Sequence, residues 1–453
     1  MQDPLPIRPL DHPIDAVVDV PGSKSYTNRA LIIAAMADGF STIRGALFSD
    51  DTERMADSLR RLGIRVEEDA SRCEFQVWGA GGTFPAPSGE LFVGDAGTAA
   101  RFLTAFLALG NGEFRLDGDS RMRERPIGPL LDALNDLGVE ARSEVGNGCP
   151  PLIIKTSGLQ GGEVTMPGDQ SSQYFSALLM VGPLTRNGLV IHVQHDLVSK
   201  PYIDLTADIM RAFGATMTRD ANYELLTVAG NQSYSGRDYF VEPDASNASY
   251  FFGAAAITGG RVRIEHLDRA SAQGDLEILN AFRAMGCQVR DDDGFIEVVG
   301  PPRLRGITVD ANAYSDMALT LCAIAPFAEG PTEIRNIGHT RFQESDRIAA
   351  ATAELRRLGQ EVEEFRDGLR ITPRPVIPAT VRTYQDHRVA MAFALVGLKT
   401  PGVAIQDPSC TSKTFPEYWD RLEDLRVHAE TQTSANGGGS PPRTIVDTET
   451  TGP

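Results

Sequence analysis

Six segments of this 453-residue chain share one plan, and that repetition limits the possible folds more than any other feature of the sequence. They are PGSKSYTNRALIIAAMADGFSTIRG from Pro21, VGDAGTAARFLTAFLALGNGEFRLDG from Val93, PGDQSSQYFSALLMVGPLTRNGLVIHV from Pro167, EPDASNASYFFGAAAITGGRVRIEHL from Glu242, DANAYSDMALTLCAIAPFAEGPTEIRNI from Asp310 and TYQDHRVAMAFALVGLKTPGVAIQD from Thr383. In each, a small-polar turn opens a helix of Ala and Leu, a Gly or Pro turn closes it, and an alternating strand such as VRIEHL or TEIRNI follows. A second, more charged helical stretch comes next and leads to a further strand, as in DTERMADSLRRLGIRVE; only the sixth copy, TFPEYWDRLEDLRV, stops at its helix. A period of roughly 70 residues is too long for an open solenoid. Six such copies predict an α/β protein of two pseudo-symmetric halves, three copies to each.

The formal net charge of -18 argues against nucleic acid or an anionic membrane surface as partner, since both require a cationic footprint. Five cysteines, far apart and never in CxxC, read as reduced thiols used for packing, and the first residues, MQDPLPIRPLDHP, resemble neither a signal nor a transit peptide. The expected location is the cytoplasm. Seven scattered histidines show no metal-ligand spacing, so no metal is expected.

Against this acidic background, Lys24, Arg29, Arg101, Arg125 and Arg388 stand at or near the openings of the Ala-rich helices. Ser, Thr and Asp at such openings are ordinary N-caps, but a cation in the first turn opposes the helix dipole. The economical reading is that several helix N-termini and their cations converge on one polyanionic ligand, where amides, dipoles and side chains act together. Screening over about 8 Å leaves the acidic exterior nearly silent inside such a cleft. GSKS lacks the earlier glycine of a P-loop, and GAGG at 79–82 runs into Thr-Phe-Pro-Ala-Pro, so neither ATP nor NAD is expected.

The strings PGSKSxxNRA, GDAGTAxR, RMRERPI, SSQ, VSKPYI, SDMALT, ESDR, DHRVAM and CTSKTFP, from about Leu10 to about Leu425, resemble the 5-enolpyruvylshikimate-3-phosphate synthases in order and spacing. The resemblance implies two pseudo-symmetric domains, each of three βαβαββ repeats (an inside-out α/β barrel), with the active site in the interdomain cleft. It places residues 1–20 and 242–427 in a first, discontinuous domain and residues 21–241 in a second. The implied reaction is cofactor-free transfer of the enolpyruvyl group of phosphoenolpyruvate to the 5-hydroxyl of shikimate 3-phosphate by addition and elimination, in a monomer. Carried over position by position, Lys24, Ser25, Arg29, Ser171, Ser172, Gln173, Ser199 and Asp316 hold shikimate 3-phosphate. Lys24, Gly97, Arg125, Gln173, Arg347, Arg388 and Lys413 hold phosphoenolpyruvate. Asp316 is the implied base, with Glu344 and Lys24 handling the proton on the methylene carbon; Glu344 equally suits a carboxylate favouring the start of a helix.

Three positions depart from the family pattern: Gln343 where Lys is common, His339 where some members have Asn, and Asp95 where Asn is common. Phe102 replaces a frequent Pro, and with Gly97 retained the pocket is expected to admit glyphosate. Residues 428–453, rich in Gly, Ser, Thr and Pro, are expected to be a disordered tail dispensable for activity; TIVDTETTG within it resembles the first metal-binding motif of DEDD exonucleases, read as a chance or truncated fragment. Two alternatives compete. The enolpyruvyl transferases acting on UDP-N-acetylglucosamine lack the PGSKSxxNRA and RMRERPI strings and use a loop cysteine absent here. A non-catalytic anion-binding protein on the same fold would need cations but no base, so Asp316 with Lys413 in intact motifs discriminates.

Overall fold

The computed structural model describes residues 1–291 and 294–426. Its helices run in chain order as α1 (Lys24–Met36), α2 (Asp50–Arg61), α3 (Gly97–Leu107), α4 (Gly128–Asp136), α5 (Ser172–Val181), α6 (Pro201–Ala212), α7 (Ala245–Thr258), α8 (Ile278–Ala284), α9 (Ala318–Ile324), α10 (Arg347–Arg357) and α11 (His387–Lys399), with residues 418–426 also helical. The odd-numbered helices are the Ala- and Leu-rich segments of the repeat, and nearly every residue in them is buried. Small apolar side chains all round allow such helices to pack against one another on every face. The even-numbered helices are amphipathic and bury one face.

A small sheet accompanies each odd-numbered helix. In the second, the strand Ser88–Phe92 lies parallel to Asn111–Asp117 across the α3 crossover, and Leu152–Ser157 and Glu140–Ser143 add antiparallel. The sheets around α5 and α9 have the same order. At α11 the sheet has three strands among the described residues: Thr380–Val381 lies parallel to Ala404–Ile405, and the N-terminal pair Leu5–Pro6 adds antiparallel to the latter.

The remaining two repeats exchange strands. Asp15–Val17, which precedes α1, pairs with Arg261–Glu265 after α7, whereas Asp238–Phe240, which precedes α7, pairs with Asp38–Arg44 after α1. The two crossing segments bridge antiparallel at Gly22 and Pro243; Ser23 N donates to Glu242 O at 2.8 Å and Asp244 N to Pro21 O at 2.9 Å. Two separate hydrophobic cores result. One is drawn from Tyr26 to Val241 and contains α1, α3 and α5; the other combines Ile7 to Val18 with Ala245 to Leu425 and contains α7, α9 and α11.

Capping is less uniform than the helix openings suggest. Ser171, Asp244, Asp346 and Asp386 accept main-chain N–H bonds in their own first turns. The Ser23 hydroxyl caps nothing; Lys24 N at the head of α1 donates instead to the Asp244 carboxylate across the crossing, at 3.0 Å. The cysteines are unpaired, with Cys149, Cys287 and Cys322 buried and Cys410 half-buried, but Cys73 is exposed in a left-handed turn before its strand and so is no packing residue. No helix among the described residues is long and apolar enough to cross a membrane. The tail at 428–453 lies outside the described residues.

Candidate active site

A cleft of about 1400 Å³ lies between the two cores. The odd-numbered helices bring their first turns to it: Lys24 and Ser25 of α1, Thr98 of α3, Ser172 and Gln173 of α5 and Arg388 of α11 line the cleft, Asp316 stands just before α9, and Ser246 of α7 lies 3.4 Å from the Arg388 guanidinium. This is the convergence that the misplaced cations predict.

On the wall built from the first core, Arg29 is 2% exposed and, among the described residues, bonds neutral oxygens alone: Thr206 Oγ1 at 2.8 Å, Ser176 Oγ at 3.1 Å and Ser25 O at 3.1 Å. Burial pulls it down to about 10. Its guanidinium lies 4.9 Å from the Phe102 ring centre, so the residue that replaces a frequent proline supports a buried cation. Ser171, Ser172, Gln173 and Ser199 line the same wall, Gln173 donating to Thr98 Oγ1 at 3.4 Å. Ser199 has φ 53, a conformation unfavourable for a residue with a Cβ; its N–H bonds Asn312 Oδ1 of the opposite wall at 3.1 Å.

Deeper in, the other expected cations form one ion-pair network with five carboxylates. Arg347 reaches Asp316 at 2.8 Å, Glu344 at 2.8 Å and Asp386 at 2.9 Å; Arg388 takes the second oxygen of Asp316 at 2.8 Å. Arg125 contacts Asp95 at 3.0 Å and Glu344 at 3.6 Å, Lys413 contacts Asp95 at 2.7 Å and Asp51 at 3.7 Å, and Lys24 contacts Asp51 at 3.4 Å. Gly97 packs directly beneath the Arg125 guanidinium. Every site residue expected from the sequence is thereby brought together, though Gly97, Arg347 and Lys413 sit behind the cleft surface rather than on it.

Burial alone would raise the Asp316 carboxyl, but Arg388 and Arg347 outweigh it and hold the group below its ordinary value. Burial acts the same way on Glu344, and there Arg125 and Arg347, followed by Lys413 and Lys24, drive it well below. In this arrangement both carboxylates are ionised.

The positions that depart from the family pattern also take part. Asp95 binds two cations at once, Gln343 accepts a bond from Arg347, and His339 Nε2 lies 2.8 Å from Ser315 Oγ and 3.4 Å from Ser199 Oγ. Sequence reasoning missed Asp51 and Asp386. Asp386 is wholly buried, caps α11, and bonds Arg347 and the Ser345 hydroxyl, the latter at 2.8 Å. Its place two residues before Arg388 was the available signal. It also missed Asp275, which lies behind the site against Ser246 and Tyr202 and which burial, with Asp316 nearby, pushes up to about 7.

Comparison with known proteins matches residues 10–422 to the family described as EPSP synthase (3-phosphoshikimate 1-carboxyvinyltransferase). A relative from Trichormus variabilis named 3-phosphoshikimate 1-carboxyvinyltransferase is 51% identical over 93% of this chain and 98% of its own length; one of the same name from Shewanella amazonensis is 45% identical over 93% and 99%. Among solved structures, an EPSP synthase from Acinetobacter baumannii superposes with a TM-score of 0.79 at 25% identity, covering 94% of this chain and 98% of its own. The enolpyruvyl transferase NikO from Streptomyces tendae, 19% identical, shares the fold with a TM-score of 0.72 over 94% of this chain and 98% of its own.

Proposed function

The chain belongs to the EPSP synthase (3-phosphoshikimate 1-carboxyvinyltransferase) family, and from that premise we propose how its cleft works. It transfers the enolpyruvyl group of phosphoenolpyruvate to the 5-hydroxyl of shikimate 3-phosphate and releases phosphate, on the shikimate pathway to chorismate and the aromatic amino acids. Lys24, Ser25, Arg29, Ser171, Ser172, Gln173, Ser199 and Asp316 hold shikimate 3-phosphate. Lys24, Gly97, Arg125, Gln173, Arg347, Arg388 and Lys413 form the phosphoenolpyruvate site. The observation that carries this reading is the gathering of Lys24, Arg125, Arg347, Arg388 and Lys413 around Asp316 and Glu344.

The proton traffic follows from the same contacts. Asp316, kept ionised by two arginines, accepts the proton of the 5-hydroxyl as that oxygen attacks C2 of phosphoenolpyruvate. The methylene carbon gains a proton, and the tetrahedral intermediate then loses that proton and phosphate to restore the double bond. Glu344 or Lys24 supplies and retrieves it. In the network described, Glu344 is held ionised and so carries no proton to donate. The carboxylate and phosphate of the substrate, by taking over Arg125 and Arg347, weaken the field that keeps it so, and its proton affinity rises when a donor is needed.

Two domains are part of the proposal, residues 21–241 and residues 1–20 with 242–427, each a barrel of three repeats with its helices inside. The separate cores and the strand exchange support it. The protein acts as a monomer in the cytoplasm. The test is phosphate release with both substrates and with each omitted in turn. Lys24→Met and Arg125→Ala are expected to lower turnover at least roughly a hundredfold with the thermal transition retained, since each removes charge-assisted bonds to the reacting groups. Near-normal rates in either would refute its assignment.

A further inference from the structure

We propose that Arg121 is a positioning residue, a latch thrown across the cleft that fixes the main chain from which Glu344 and Arg347 project. Its Nη2 donates to Gln343 O at 2.7 Å and its Nε to Glu344 O at 2.9 Å, two bonds from one planar group on the first core to consecutive carbonyls of the second. Among the described residues no main-chain donor reaches either carbonyl outside regular secondary structure, and Gln343 and Glu344 belong to neither a helix nor a strand. The two side chains that depend on this stretch are central to the ion network: Glu344 pairs with Arg125 and Arg347, and Arg347 opens α10 three residues later.

The base of the latch is rigid. Arg121 stands at the head of a tight turn, Met122–Glu124, whose Met122 side chain is wholly buried and whose Met122 N–H bonds Asp119 Oδ1 at 3.0 Å. Arg123 is fixed to both oxygens of the buried Asp117, at 3.0 and 2.7 Å. Glu124 at 2.9 Å steadies the Arg121 guanidinium from the solvent side. A rigid donor fork on one core and an otherwise unpartnered pair of acceptors on the other make correct placement of Glu344 conditional on the two walls being together. An arginine that served only local stability would not need to span sequence separations of 222 and 223 residues.

The latch itself needs no substrate for its test, whereas its effect on catalysis rests on the reaction proposed above. Hydrogen exchange is measured on the substrate-free full chain for wild type, Arg121→Met and Arg121→Lys. The Met variant is expected to exchange at least roughly tenfold faster in peptides spanning 349–352, where the Ala349 and Ala350 amides bond Asp346 in the first turn of α10, with the Lys variant between the two and the sheet of Ser88–Phe92 unchanged. Equal exchange at 349–352 would overturn the latch. In steady-state turnover, Arg121→Met is expected to lower kcat/KM for phosphoenolpyruvate roughly tenfold to a hundredfold while binding of shikimate 3-phosphate alone changes less than about threefold. Glu124→Gln is expected to leave both near wild type. Faster exchange with wild-type kinetics would refute the positioning role; absence of turnover in the wild type would sink the reaction and leave the exchange result to decide the latch.

Discussion

A methyl group added at position 97 would stand 2.4 Å from Nη2 and 2.7 Å from Cζ of Arg125, closer than real contacts allow. Arg125 is buried and tied to Asp95, so it yields only by weakening that pair or its grip on an anion. Gly97→Ala is therefore expected to raise KM for phosphoenolpyruvate roughly tenfold or more, with a smaller change in kcat, in steady-state assays. His339 permits a second test. Burial chiefly pulls it down to about 4, with Asp316 opposing and Arg347 adding. The unfolded chain therefore binds the extra proton over the window between about 4 and about 6.5, and the native state loses stability as pH falls through it. His339→Asn is expected to gain about 1 kcal/mol relative to wild type at pH 5 and nothing at pH 8, measured by urea unfolding, the value reduced because the ring is partly open to the cleft. An equal difference at both pH values would rule out the titration. The cations Lys24, Arg29, Arg125 and Arg388 were legible because cations at helix openings violate a local preference. Asp51 and Asp386 were not, because a carboxylate in a first turn satisfies the same preference and so looks like a cap.

At the level of elements, the six helix openings and the alternating strands could be read directly from pattern, since amphipathic period and turn chemistry are local properties. Arg261–Glu265 and Thr332–Arg335 fall where VRIEHL and TEIRNI predict strands. Strand partnership is a different matter. Nothing in Asp15–Val17 or Asp238–Phe240 marks them as exchanged, because each reads like any short strand and its partner lies about 200 residues or more away along the chain. The crossing does leave one sharp local trace: a Cβ at Gly22 would fall 1.9 Å from Gly45 O. Since that neighbour is backbone, relief requires moving the crossing itself. Gly22→Ala is expected to cost about 3 kcal/mol or more in the denaturation midpoint, whereas Gly138→Ala, where a Cβ meets nothing within 4 Å though φ is 87°, is expected to cost about 1 kcal/mol from backbone strain. Similar losses at both would show that close approach at the crossing is unimportant.

For the molecule as a whole, the balance of charge between the two walls sets the expectation. Among the described residues Arg29 has no carboxylate partner, and in the binding mode proposed above substrates bringing several negative charges would replace internal carboxylates as the counter-ions of Arg125, Arg347 and Arg388. Adding shikimate 3-phosphate is thus expected to shift the population toward a more compact form, read as a smaller radius of gyration by small-angle scattering; an unchanged profile would contradict this. The paired passage of the chain at Gly22 and Pro243 is the expected pivot of that movement. A body hung from a single cord can swivel in any direction, but one carried on two pins side by side can only swing like a door. Two strands side by side resist twisting more than one would, so the two walls are expected to meet in a similar register each time they close.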